Sequence, residues 1–420
     1  MKRTLLLSIL IFLIMSISSS VSAGTCPYPE LNAEAAVLMD ANTGQVLFEK
    51  NLHEKHYPAS ITKVMTGMLA LEKGNLTDIV TMSSEAVFSI GRNSSHVALD
   101  ENEELALEDA LYALSIASAN DAANGIAEHI SGNVENFAQS MNKKAIQVGA
   151  KNTNFVNPHG LPDDNHYTTA HDMAKIMMEA IKIPKFTEFF SETYYEMPPT
   201  NKQQEARYFH SRNSLLNGNS QYPGILASKS GWTSQANCTL ITAAEQDDRK
   251  LVVVVINTQS RVHSYEDTIT LLDYGFREFM DIKIDLKDLE ETMPEAKFAS
   301  VENEKLTRLL HKNISPDNLK KSYDILEAAD EGILVNKSIS VKQPQNFMYQ
   351  DLGSILIDGK RFIETEVNPA GYTGETVSNN NKLYLSGGLG LICFYLFLFY
   401  LKRKRAIKRN RLRFFQKYRY

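Results

Sequence analysis

Three short patterns along the chain carry the side chains that nucleophilic acyl transfer needs. Ser60-Ile61-Thr62-Lys63 sets a hydroxyl and an amine three residues apart, the spacing that brings two side chains onto one helical face. A serine is a weak nucleophile until a neighbouring base takes its proton. Lysine is that base only when neutral, a state favoured by burial and by a second cation close by. Ser118-Ala119-Asn120 adds a hydroxyl and an amide, and Lys229-Ser230-Gly231-Trp232-Thr233 a second lysine and a hydroxyl before a glycine. On an edge strand that glycine lets a ligand backbone approach closely. Each pattern also has a plain reading. Ser60 serves as an N-cap with Lys63 in solvent, residues 118–120 as tight helix packing, and residues 229–231 as a turn.

Chance produces such patterns too. Ser140-Met141-Asn142-Lys143 repeats the first, and Ser131, Ser211 and Ser378 each open a copy of the second. Context separates them. Ser60 follows Pro58-Ala59 at an expected helix start, where unpaired N–H groups and the positive dipole end favour developing negative charge. Ser140 falls inside a polar amphipathic stretch with no such setting.

The elements that must hold these residues are strand-like runs at 35–39 and 45–48, joined by the turn Asp40-Ala41-Asn42-Thr43-Gly44, then helices over 61–72, 107–130 and 134–148. Further strands are expected at 225–228, 239–244 and 251–257. The last is apolar throughout, as befits a central strand covered on both faces. Strands at both ends with helices between fit an α+β fold over 24–280, one antiparallel sheet flanked by helices. Residues 281–369 lose the earlier density of small residues and read as a smaller, partly β module. Residues 370–382 are polar and turn-rich, a linker.

The ends speak to compartment. Residues 1–23 start with Lys2-Arg3, continue through an uncharged apolar run and end on Val21-Ser22-Ala23, the pattern of a secretory leader. Residues 383–401 carry no charge and have the length of one transmembrane helix. Residues 402–420 hold ten Lys or Arg and no acid, which marks the cytoplasmic side. The overall charge of −6 hides this asymmetry: with two of the 44 basic residues in the leader and ten in the tail, 32 face all 50 acids between them, a net −18. Such a body repels nucleic acid and anionic lipid; the expected lipid contact is through the 383–401 helix alone. Three cysteines, Cys26, Cys238 and Cys393, are too few and scattered for a disulfide framework or a zinc site. Whether Cys26 and Cys238 pair is left open by the sequence.

The three patterns, in this order, resemble the signature of penicillin-binding proteins and class A β-lactamases. Pro58-Ala59-Ser60-Ile61-Thr62-Lys63, Asn120-Asp121-Ala122-Ala123 with Ala127-Glu128-His129, Asn157-Pro158-His159-Gly160-Leu161-Pro162 and His166-Tyr167-Thr168-Thr169 resemble more narrowly the serine-type D-alanyl-D-alanine carboxypeptidases, over roughly residues 32–280. The resemblance implies a β-lactamase/transpeptidase-like fold, stem peptides of peptidoglycan as substrates, β-lactams as covalent inhibitors, and no cofactor or metal. It implies Ser60 as nucleophile, Lys63 as its base, Ser118 as proton relay, and the N–H groups of Ser60 and Trp232 as oxyanion hole. Asn120 would bind a substrate amide beside Gly231. Lys229 with Ser230 would hold the terminal carboxylate, with Arg261 as a second partner. Ser230 stands where threonine is usual, residues 281–370 match weakly, and a full span replaces an amphipathic terminal helix. His159 and His166 are expected to be structural. A β-lactamase, a D,D-endopeptidase and a non-catalytic wall-binding protein remain alternatives on the sequence.

Overall fold

Alternation along the strands divides the apolar residues between two faces of one sheet. The computed structural model describes residues 28–285, 305–312, 319–329, 332–341, 350–357 and 362–365. Strands β1 (Ala35–Asp40), β2 (Val46–Lys50), β3 (Ile225–Thr233), β4 (Asn237–Gln246) and β5 (Arg249–Thr258) form an antiparallel sheet in the order β2-β1-β5-β4-β3. In β5, Val252, Val254 and Ile256 enter one apolar cluster, and Leu251, Val253 and Val255 enter another. Both faces are therefore covered, which is why the run is apolar at every position.

The larger cluster is closed by α1 (Lys63–Lys73), α2 (Leu107–Ser115), α3 (Asn120–Ser131), α4 (Val134–Gln147), α5 (Ala170–Ala180) and α6 (Pro184–Ser191). The other face is closed by α7 (Arg261–Glu278), through Tyr265, Leu271, Leu272 and Tyr274. Two short ribbons stand outside the sheet, pairing Ile79–Thr81 with Glu104–Ala106 and Tyr194–Met197 with Arg207–His210. The expected α+β class, with strands at both ends and helices between, is what the chain adopts.

Three expected elements differ in detail. The helix expected over 107–130 is two helices, because Ser118 takes φ +58°, a left-handed conformation that breaks a right-handed helix. Buried residues on both sides, Leu107, Leu111 and Leu114 before and Ala119, Ala122 and Ile126 after, carry the apolar spacing across the break and conceal it. The helix expected from residue 61 starts at Lys63, after a 3-10 turn over Ala59–Thr62. The strand expected to end at 228 runs on to Thr233, so Lys229, Ser230 and Gly231 lie within it, on the sheet edge as expected.

Beyond the sheet, β6 (Phe279–Asp285) pairs with β7 (Lys305–His311), and β8 (Leu319–Ala329), β9 (Gly332–Val341), β10 (Gln350–Ile357) and β11 (Phe362–Thr365) form a second antiparallel sheet in chain order. The boundary expected after residue 280 falls inside β6. Gln45 clasps the β6–β7 ribbon to the main sheet: its Nε2 donates to Leu309 O at 2.8 Å and its Oε1 accepts from Leu309 N at 2.9 Å. The expected leader, linker, span and tail, with Cys26 and Cys393, lie outside the described residues. Among those described, no helix is long and apolar enough to cross a membrane.

Candidate active site

The turn that carries Ser60 is held from three sides. Ala59, the residue before it, sits at φ +51°, a costly conformation for a residue with a Cβ. Thr239 on β4 donates from Oγ1 to Pro58 O at 2.9 Å. Gly160 packs so tightly on the turn that a Cβ there would lie 1.8 Å from Ala59 O, and its φ of +87° suits glycine alone. On β3, a Cβ at Gly231 would lie 2.6 Å from Ser60 N and 3.0 Å from the Ala59 Cβ. Thr239 Oγ1 would lie nearer still, at 2.5 Å, so the close approach that requires this glycine is made by Thr239 together with the nucleophile's own turn. The Ser60 hydroxyl caps no helix: the turn and α1 have Pro58 and Thr62 as their caps, neither with a side-chain capping bond.

Lys63 is fully buried, at 0% exposure. Its Nζ lies 3.2 Å from Ser60 Oγ and donates to Asn120 Oδ1 at 2.7 Å and to His159 O at 2.8 Å. Burial first, and the Lys229 cation second, hold its pKa well below the usual lysine range, with Asp121 acting in the opposite sense. A neutral amine has two N–H bonds and one lone pair. With both N–H groups given to Asn120 and His159, a neutral Lys63 has its lone pair left for the Ser60 hydroxyl. This is the geometry of a general base beside its nucleophile.

The lining comes from elements far apart in sequence. Asn120 opens α3, and its own N–H donates to Ser95 O at 2.8 Å. The carboxylate of its neighbour Asp121 accepts from Val97 N at 3.1 Å and Leu99 N at 3.1 Å, fixing the loop above. The His159 carbonyl is brought in by the run 157–162: Asn157 Oδ1 accepts from His159 N and Gly160 N, and Thr66 Oγ1 donates to Pro158 O at 2.5 Å. His166 Nδ1 accepts from Val156 N at 3.1 Å, so its Nε2–H donates to Thr62 Oγ1 at 2.9 Å, and burial holds its pKa to about 4. His159 Nδ1 accepts from Leu161 N, and burial then Lys63 push its pKa well down. Neither imidazole makes a hydrogen bond to Ser60.

On β3, Lys229 is 4% exposed and its Nζ donates to Ser230 O at 2.9 Å. Burial, then the Arg261 guanidinium, hold its pKa to about 7. Arg261 is exposed at the first position of α7, where a cation opposes the positive end of the helix dipole. Two cations gathered against such costs form a site for an anion. Ser118 is half-buried at the α2–α3 break, and its hydroxyl has no hydrogen-bond partner among the described residues; the same holds for Ser230 Oγ. Trp232 stands 58% exposed on the edge strand. Cys238, on β4 opposite Trp232, is a free buried thiol.

Direct contacts thus join Ser60, Lys63, Asn120 and Gly231, while Lys229 is coupled by charge to Lys63 and Arg261 to Lys229. The sequence reading missed the His159 carbonyl and the roles of Thr239 and Asp121. The first is a backbone group that residue identity cannot announce. The only signal was the Asn-Pro-His-Gly run around it.

A family model described as D-alanyl-D-alanine carboxypeptidase matches residues 22–260. The chain is 36% identical over 252 residues to the D-alanyl-D-alanine carboxypeptidase DacF of Bacillus subtilis, covering 59% of this chain and 63% of that protein. It is 37% identical over 298 residues to DacA of Haemophilus influenzae, covering 67% and 72%. It therefore spans somewhat under two thirds of DacF and somewhat more of DacA. Among solved structures, penicillin binding protein 5 from Haemophilus influenzae superposes with a TM-score of 0.60 at 28% identity, over 79% of this chain and 97% of that one. A D-alanyl-D-alanine carboxypeptidase from Mycobacterium tuberculosis gives 0.55 at 27%, over 60% and 94%.

Proposed function

The chain belongs to the D-alanyl-D-alanine carboxypeptidase family of serine peptidases, and from that membership we propose that it removes the terminal D-alanine from peptidoglycan stem peptides through an acyl-enzyme on Ser60. The observation that carries this reading is the fully buried Lys63, its pKa held well below the usual lysine range, with Nζ 3.2 Å from Ser60 Oγ. Lys63 takes the hydroxyl proton as Ser60 attacks the carbonyl of the penultimate D-alanine. The oxyanion that forms is received by the N–H groups of Ser60 and Trp232, a term that in acyl transfer is often the largest. Lys229, with Ser230 and Arg261, holds the free terminal carboxylate, and Asn120 turns its amide nitrogen to the substrate. Ser118 passes a proton to the leaving amine. The C–N bond breaks, D-alanine departs, and water cleaves the ester to restore Ser60. The same site accepts a β-lactam, whose ring opening leaves the acyl group on Ser60.

The leader and the 383–401 span support a catalytic body outside the membrane, tethered by its C-terminus, with the basic tail inside. The organisation we propose is a peptidase unit over 24–280, an accessory β module over 281–369 and a linker over 370–382.

The test is to compare steady turnover of penicillin with turnover of a D-Ala-D-Ala peptide, alongside mass spectrometry of the acylated peptide. We expect label on Ser60, release of D-alanine and slow penicillin turnover. Fast penicillin turnover without D-alanine release would make the protein a β-lactamase, and label elsewhere would remove Ser60 from its role.

A further inference from the structure

The ribbon of Tyr194–Met197 and Arg207–His210 has one face that the fold explains and one that it does not. Pairing sets Tyr195 opposite Phe209 and Met197 opposite Arg207 on the inner side. Tyr195 stacks on Tyr112 at 3.8 Å between centroids and donates from its hydroxyl to Asp109 at 2.7 Å. Arg207 grips the fully buried Glu103 at 2.7 Å and donates to Ala98 O at 3.2 Å. The outer side sets Tyr194 opposite His210 and Glu196 opposite Tyr208, all four exposed. The Tyr194 and His210 rings lie 5.0 Å apart, and the Tyr208 hydroxyl donates to Glu196 at 3.5 Å.

Exposing two tyrosines, at 44% and 59%, on a ribbon whose other face packs firmly leaves an apolar, rigid surface facing water. Aromatic rings with few rotatable bonds give contact area at low entropic cost. Rings beside a carboxylate and an imidazole match a sugar: its C–H face lies on the rings, and its hydroxyl and acetamido groups meet Glu196 and His210. The chain that leaves the ribbon is also tied to the reacting strand. Three residues beyond His210, Asn213 Nδ2 donates at 2.7 Å to Ser228 Oγ, the residue before Lys229. A stem peptide is covalently attached to a polysaccharide, so with its terminus at Lys229 the sugar chain must pass over neighbouring surface.

We propose that the outer face formed by Tyr194, Glu196, Tyr208 and His210 docks the amino-sugar glycan strand that bears the stem peptide. This rests on the carboxypeptidase reading of Ser60. Glycan docking would let the enzyme prefer wall-borne peptides to free ones without any change at the reacting bond.

The test uses the full chain in detergent and a Tyr194→Ala/Tyr208→Ala variant. Three rates are measured: acylation by penicillin, D-alanine release from a free pentapeptide, and release from the same pentapeptide on glycan strands. Loss of two aromatic contacts should lower kcat/KM on the glycan-borne substrate about tenfold through KM, with the other two rates unchanged. Peptide-free glycan strands should inhibit the wild type and not the variant. An equal fall on both peptides would make the ribbon a structural support, and no change on either would remove the platform. A variant that turns from dimer to monomer by light scattering would assign the face to a second copy of the chain. If the wild type releases no D-alanine from either peptide, the failure lies with the carboxypeptidase reading instead.

Discussion

The chain contains the tetrad Ser-x-x-Lys twice, and the two copies have opposite surroundings. Ser60 and Lys63 lie on a strained turn beneath the edge strand, with Lys63 wholly excluded from water and bonded to groups 57 and 96 residues away. Ser140 and Lys143 lie mid-way along α4, with Lys143 exposed to solvent. The residue types and spacing are the same. What differs is desolvation and the neighbouring Lys229 cation, the two influences that free an amine of its proton. A catalytic motif is therefore a property of the site that buries it, and four letters of sequence supply only half of it.

Breaking the first copy should cost the most. Ser60→Ala should lower penicillin acylation and D-alanine release by about 10⁴-fold or more, whereas Ser140→Ala should leave both unchanged, as stopped-flow acylation and a D-alanine assay would show. Next, Lys63→Arg puts in the base's place a group that cannot give up its proton, so acylation should fall by about 10³-fold, while Lys143→Arg passes unnoticed in the same assay. A third change attacks the turn from the strand side. Gly231→Ala would press a methyl against Ser60 N, and acylation should drop by about 10²-fold, as when an oxyanion donor is lost.

The smallest change sharpens the electrostatic half of the comparison. The base works only when neutral, so kcat falls as pH drops through the Lys63 pKa. Lys229 lowers that pKa, hence Lys229→Gln should raise it and move the acid limb of the kcat profile to higher pH, by about one pH unit. Asp121→Asn removes an influence of the opposite sign and should move the limb slightly the other way. Limbs that stay put in both variants would mean that burial alone frees Lys63.

Much of this was legible in the residues. The strands were visible because their alternation or continuous apolarity follows from having one or two covered faces, and the first motif stood at an expected helix start that its chance copy lacked. The break at Ser118 was not visible: serine has no evident preference for φ +58°, and the apolar spacing continues across it. The need for Gly231 is read from sequence as room for a ligand, whereas in the structure Thr239 Oγ1 and the Ser60 turn already crowd it, the second contact forming only when residues 171 positions apart meet. The aromatic ribbon went unread because its alternation spans only four residues per strand.

Trp232 is the sole tryptophan of the chain, and it stands 58% exposed beside the glycine that touches the Ser60 turn. Anything laid along the edge strand changes the water around its indole. The protein thus carries its own fluorophore at the mouth of the cleft, and the emission of one unlabelled residue can time the arrival of an acyl group and its departure.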